Sequence, residues 1–214
     1  MTRINVAFLR PPFVQPFESK NILIEDITLK NSPFWNINPV FVNNITIRGV
    51  KVEAPYPSPN TDGIDVDSCV DVLIERVSIS CGDDCIVLKS GRDLQGRRIG
   101  RPTENVVIRD SHMFKGMSGF AIGSQQSGGV RNVKIENIVM NGTDKGVFIK
   151  SMRGRGGIVE DIKVRNISMI NIKREMVGIT LLIHTNQSDA HKAQPFSERT
   201  PVLRDIEFND LMSD

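Results

Sequence analysis

The sequence predicts an all-β solenoid, a parallel β-helix of about seven coils, and three observations carry this reading. A short unit returns along the chain: Asn or Asp, a β-branched residue, a free position and another apolar residue. Within it Ile22/Ile24, Ile45/Ile47, Val72/Ile74 and Val133/Ile135 alternate with polar positions, a two-residue period that suits strands and not helices. The anchoring residue falls at Asn21, Asn44, Asp71, Asn105, Asn132, Asp161 and Asp205, so the gaps run from 23 to 44 residues and vary with loop length.

Taken in order, Met1 to Phe17 reads as irregular, because Pro11, Pro12 and Pro16 prevent a regular element of useful length. The theme begins at KNILIEDITLKNS after Ser19 and returns as NNITIRGVKVEA, VDVLIERVSIS, ENVVIRDSHMF, RNVKIENIVMNG, EDIKVRNISMIN and RDIEFNDL. Asn suits the corner of a coil because it tolerates the left-handed backbone, and stacked Asn side chains hydrogen-bond in ladders.

Composition excludes several partners. With 214 residues and 39% hydrophobic content, residues 1–214 read as a single soluble domain with a sizeable core. A net charge of +2 leaves no basic excess to suggest nucleic acid. There is no apolar run of membrane-spanning length, and the first twenty residues, with Arg3, Arg10 and three prolines, lack the apolar core of an export signal. Cys69, Cys81 and Cys85 are an odd number within 17 residues, better read as buried small hydrophobes than as a disulfide framework.

The chemistry concentrates between Asn60 and Gly91, where Asp62, Asp65 and Asp67 precede the pair Asp83 and Asp84 by about twenty residues. If a coil takes roughly 20 to 30 residues, Asp62 and Asp83 lie on neighbouring coils, whose strands sit about 4.8 Å apart. Like charges this close raise one another's pKa and keep a proton bound, and a protonated acid beside ionised ones is what glycoside hydrolysis requires. A solvated acidic loop or a calcium site is the plainer alternative, but the EF-hand spacing with its glutamate at position 12 is absent, so no metal is expected. Asp65 is expected to serve structure, turned to the opposite face by a bulge at Gly63. The Gly-punctuated segment Gly91 to Arg101, with Arg92, Arg97, Arg98 and Arg101, offers itself to an anionic substrate. GRGG at Gly154 to Gly157 lacks the lysine and hydroxyl of a phosphate loop.

At NTDGID (Asn60 to Asp65), GDDC (Gly82 to Cys85) followed by IVLKSG, and GSQQSGGVRNV (Gly123 to Val133), the chain resembles glycoside hydrolase family 28, the polygalacturonases. RPPF near the start, NSPFW at Asn31 to Trp35 and RGRGGIVEDI at Arg153 to Ile162 support the resemblance, with the bacterial branch closer. It implies a right-handed parallel β-helix that cleaves galacturonate-containing bonds of pectin with inversion and without a cofactor. On that pattern Asp83 is the general acid, Asp62 and Asp84 hold and activate the attacking water, and Asn60, Met117, Phe148 and Lys150 bind substrate. Acid and base are expected about 6.5 to 9.5 Å apart, room enough for a water. A secreted or periplasmic location is implied.

The chain departs from the pattern at two site positions. Aligning GMSGFAIGS (Gly116 to Ser124) on the family's GHG segment puts Met117 where a histidine belongs, and Phe148-Ile149-Lys150 stands where the family has Arg, one residue and Lys. Exchanging Arg for Phe replaces a bidentate carboxylate clamp with a stacking surface. Either the substrate is less acidic there, such as a branched or rhamnose-containing pectin, or catalysis has weakened and the groove only binds polysaccharide. His112, five residues before Met117, offers itself as a substitute. In length the chain resembles a β-helix without its N-terminal coils and cap, and an uncapped coil exposes strand edges that invite self-association. The rivals to a hydrolase are a non-catalytic polysaccharide-binding β-helix and, more distantly, a calcium-dependent eliminase on a similar scaffold.

Overall fold

The structure, a computed structural model, describes residues 10–183, 192 and 195–214. Residues 1–9, which include Arg3 and carry part of the reading of an irregular start without an export signal, lie outside the described residues. In chain order the strands are β1 (Lys20–Glu25), β2 (Thr28–Lys30), β3 (Asn43–Arg48), β4 (Lys51–Glu53), β5 (Ile64–Asp67), β6 (Val70–Glu75), β7 (Ser78–Ser80) and β8 (Ile86–Lys89). One helix, α1 (Asp93–Ile99), precedes β9 (Thr103–Lys115), β10 (Ser118–Gly123), β11 (Val130–Asn141), β12 (Lys145–Lys150), β13 (Ile158–Ile170), β14 (Val177–Thr180), β15 (Val202–Leu203) and β16 (Ile206–Ser213). The strands form an eleven-stranded and a five-stranded sheet, the latter in the order β14-β12-β10-β8-β5. All strand pairings among the described residues are parallel.

The corners explain why the repeat is anchored by Asn and Asp. All seven anchors, from Asn21 to Asp205, adopt φ between 50° and 60°, the left-handed region that short polar side chains tolerate. A second left-handed residue follows five positions later in every coil, at Asp26, Gly49, Arg76, Asp110, Asn137, Asn166 and Asp210. The short stretch between them is therefore bracketed by two bends in each coil, and in β9, β11 and β13 both bends fall inside one long strand. The side chains stack as expected: Asn44 Nδ2 donates to Asn21 Oδ1 at 2.8 Å, Asn105 Nδ2 to Asp71 Oδ1 at 2.8 Å and Asn132 Nδ2 to Asn105 Oδ1 at 2.7 Å. At the second bend Asn137 and Asn166 extend the same pattern from Asp110, with 2.8 Å at each step.

Alternation within each strand turns one set of residues into the coil. Ile47, Ile74, Ile108, Ile135 and Val164 are register partners in successive coils and are buried. Each such side chain contributes about 1.5–3 kcal/mol by leaving water. In the five-stranded sheet Ile64, Ile86, Phe120 and Val147 form an equivalent inward row. The residues between them point the other way, so Asp65, Val87, Ala121, Phe148 and Gly178 share one outer row across the sheet. That outer face is the floor on which the site stands.

The segment after β8 is helical, contrary to the loop expected at Gly91 to Arg101. Gly96 lies inside it, but Asp93 in the first turn and Arg97 and Arg98 in the last suit the helix dipole, and Gly100 closes it at φ 61°. No helix among the described residues is long and apolar enough to cross a membrane.

Candidate active site

Asp62 ends two residues before β5, and Asp83 and Asp84 lie just before β8, whose Ile86 is the register partner of Ile64. Parallel stacking therefore sets the two acidic segments side by side. One carboxylate oxygen from each of Asp62, Asp83 and Asp84 lies within 4.8 Å of the other two. They meet because neighbouring coils are a strand's width apart and Asp83 and Asp84 are adjacent in the chain. Two glycines permit the approach. A Cβ on Gly63 would lie 2.4 Å from the carbonyl oxygen of Cys85, and one on Gly82 would lie 2.1 Å from that of Ser58.

The three acids differ in surroundings. Asp83 is half-buried, whereas Asp62 and Asp84 are 4% and 2% exposed. Burial, and then the neighbouring Asp84, push the Asp83 carboxyl above its ordinary value. Its Oδ2 accepts the Asn60 backbone N–H at 3.3 Å and lies 3.5 Å from Asn60 Nδ2. Asn60 is held in turn by Arg10, whose Nη2 donates to Asn60 Oδ1 at 2.7 Å while Nη1 donates to the carbonyls of Pro59 at 2.8 Å and Pro33 at 3.1 Å. Asp84 Oδ2 receives the Lys150 ammonium at 2.6 Å. Burial and Asp65 push Asp62 well above its ordinary value, with Lys89 Nζ 3.9 Å from its Oδ2 pulling the other way. Among the described residues, Oδ1 of Asp62 and Oδ1 of Asp84 are buried and have no hydrogen-bond partner.

Asp65 departs from its expected place. Ile64 and Val66 face the core, so strand alternation alone sends Asp65 to the outer face of the five-stranded sheet, with no bulge needed. It is wholly buried there and ion-paired with Lys89. Burial opposes the charge on Lys89, but Asp65 and Asp62 outweigh it and hold the ammonium above its ordinary value. The Lys89 ammonium also lies 3.7 Å from the centre of the Trp35 ring, a cation–π contact. Asp65 thus stands behind the three acids as the counter-charge of Lys89.

The remaining expected site residues fall on the same side of the protein. Met117 is 43% exposed, and its backbone N–H donates to the carbonyl of Asp83 at 2.7 Å, so position 117 adjoins the acids. His112 does not replace the missing imidazole: it is exposed on β9 of the other sheet, edge-on to Phe114 at 5.9 Å. Lys150, expected on a uronate, is engaged by Asp84. Phe148 is 7% exposed, with Lys145 Nζ 3.5 Å and Lys150 Nζ 5.7 Å from its ring centre. In the Gly91 to Arg101 segment, Arg97 Nη1 donates to the carbonyls of Gly154 and Arg155, Arg101 donates to Asn43, and Arg92 pairs with Asp93. These arginines serve the fold. The three cysteines are free and buried, with Cys81 and Cys85 sulfurs 3.9 Å apart.

Sequence reasoning assigned no role to Arg10, Trp35, Lys89, Tyr56 or Lys145. The first three lie within RPPF, NSPFW and IVLKSG, segments that carried the resemblance without a chemical reason. Tyr56 reaches across the coils to Asp144, its hydroxyl 3.1 Å from Oδ1, and Lys173 bonds the same carboxylate at 2.9 Å. A contact spanning 88 residues leaves no trace in local pattern.

Comparison with known proteins agrees with this geometry. A family profile described as "Glycosyl hydrolases family 28" matches residues 7–212. A probable polygalacturonase of Vitis vinifera is 38% identical over 98% of the chain and 42% of its own length. An endo-polygalacturonase of Pectobacterium carotovorum subsp. carotovorum is 31% identical over 95% of the chain and 46% of its own length. The crystal structure of a hyperthermoactive exopolygalacturonase from Thermotoga maritima superposes with a TM-score of 0.88 at 37% identity, covering 96% of the chain and 44% of that protein. The architecture is the right-handed parallel β-helix of these structural neighbours. The chain spans less than half the length of these relatives. It belongs to glycosyl hydrolases family 28.

Proposed function

We propose that the chain carries the hydrolytic site of a pectin-directed glycoside hydrolase of polygalacturonase type, acting with inversion on galacturonate-containing bonds of a pectic polysaccharide or oligogalacturonide. The observation that supports it most is the meeting of one carboxylate oxygen from each of Asp62, Asp83 and Asp84 within 4.8 Å, in three different environments. Asp83 is the half-buried one, and its raised pKa suits a group that arrives at the bond still protonated. It donates that proton to the glycosidic oxygen as the bond to the anomeric carbon breaks.

Asp62 and Asp84 are recessed behind it, each with one unpaired oxygen. Buried, unpartnered acceptors on neighbouring carboxylates are what an ordered water satisfies. As that water attacks, one of its protons passes to Asp84, the acid paired with an ammonium, because burial and Asp65 favour the protonated form of Asp62. In the retaining pattern a carboxylate attacks directly, but such a carboxylate must reach the anomeric carbon. Groups 2% and 4% exposed reach it through a water and not by contact. Lys150 gives Asp84 its counter-charge, and Asn60, fixed by Arg10, orients Asp83.

The test is release of new reducing ends from polygalacturonate and from branched pectin by the full chain and by Asp83→Asn. Release that this single change reduces by about 10²–10⁴-fold is expected. Binding of these polymers with no release from either would replace the hydrolase by a polysaccharide-binding protein.

A further inference from the structure

We propose that Lys145, held over the ring of Phe148, is a specificity residue that reads a substrate carboxylate on the β12 side of the acids. The inference rests on the functional reading above and names the group that recognises charge at that side. Lys150, the other cation nearest Phe148, is engaged at 2.6 Å by Asp84. That buried pair sets the Lys150 charge against Asp84. Phe148 itself has only a π face. Lys145 is differently placed, because its ammonium lies 3.5 Å from the ring centre and 3.5 Å from Glu175, whose side chain is 52% exposed against 15% for Lys145 itself.

The geometry makes Phe148 a support for the cation. The ring lies on the outer row of the five-stranded sheet, and a Cβ on its register partner Gly178 would come within 2.8 Å of it. The ring is thus fixed on one side by the sheet, and the Lys145 ammonium rests on its face. An aromatic face holds an ammonium without consuming its N–H donors in full, so donors remain for a carboxylate. β12 is separated from β8 by β10 alone, a step of roughly 9–10 Å at ordinary strand spacing, which places Lys145 beyond the sugar that meets the acids. Lys173, 4.7 Å from the Tyr56 ring centre, continues the run of ring-backed cations along the same side.

The experiment compares the full chain with Lys145→Gln, Lys145→Arg and Glu175→Gln on polygalacturonate and on the same polymer methyl-esterified. Both KM and retardation in affinity gels are read, with melting temperature to verify folding. Lys145→Gln is expected to weaken polygalacturonate binding about tenfold or more, the scale of one charge-assisted hydrogen bond, and to weaken the esterified polymer far less. Lys145→Arg restores the preference, and Glu175→Gln strengthens it by removing a competing acid. Equal effects on both polymers, or none, overturn the role of Lys145 while leaving hydrolysis intact. If the unmodified chain neither binds nor cleaves any uronate polymer, the functional reading fails and this inference with it.

Discussion

The ammonium of Lys150 lies 2.6 Å from Oδ2 of Asp84, the most buried of the three clustered acids. Only 3% of the Asp84 side chain and 13% of the Lys150 side chain are exposed. Removing one partner of such a pair strands a charge away from water. Lys150→Met is therefore expected to cost about 3–5 kcal/mol of stability, read from denaturant unfolding.

Asp83→Asn separates catalysis from stability. The Asp83 carboxyl is pushed up by burial and by Asp84, so the folded state binds its proton more tightly than the unfolded chain does. Stability from such a group is present at low pH and declines as pH rises from the unfolded value, about 3.9, through the folded one. Asparagine carries no such penalty and still accepts the Asn60 N–H. The variant should melt at higher temperature than the parent at neutral pH, with the difference shrinking towards pH 3. About 1 kcal/mol corresponds to roughly 2–4 °C in a chain of this size. Calorimetry at the two pH values checks the sign.

Arg10 acts on Asp83 through Asn60. Hydrogen bonds from Asn60 favour the charged form of Asp83, so loosening Asn60 should raise the basic limb of the pH–rate profile as well as lower kcat. Arg10→Ala is expected to do both, and Arg10→Lys to restore them in part, since a lysine supplies the charge but not three directed bonds. A loss of activity with no movement of the limb would mean that Arg10 only supports the fold.

The repeat was legible because its cause is local. A left-handed corner accepts few residue types, so Asn21, Asn44 and Asn105 marked their coils before any coordinate was known. The second corner was harder to read, since Gly49 and Arg76 share its conformation without sharing a side-chain type. Asp62, Asp83 and Asp84 were legible through coil spacing. Their counter-charges were not: Lys89 and Lys150 reach Asp62 and Asp84 across coils, and long side chains have no fixed sequence offset. Asp65 was misplaced because a bulge was invoked where plain alternation suffices.

Three acidic oxygens within 4.8 Å are also a donor set that a divalent cation takes, yet Asp84 is already bonded to an ammonium. Hydrolysis is therefore expected to survive EDTA unchanged, and added calcium should give no unsaturated product absorbing in the ultraviolet. Calcium-dependent appearance of that absorbance would identify an eliminase.

The recessed positions of Asp62 and Asp84 lead to one outcome at the anomeric carbon. Proton NMR of the full chain acting on polygalacturonate, followed from the first minutes before mutarotation, reads the configuration of the first product. Delivery of a water by Asp62 and Asp84 gives the inverted β-anomer. First appearance of the α-anomer would mean that a carboxylate attacks the sugar itself, and would contradict the roles assigned to all three acids.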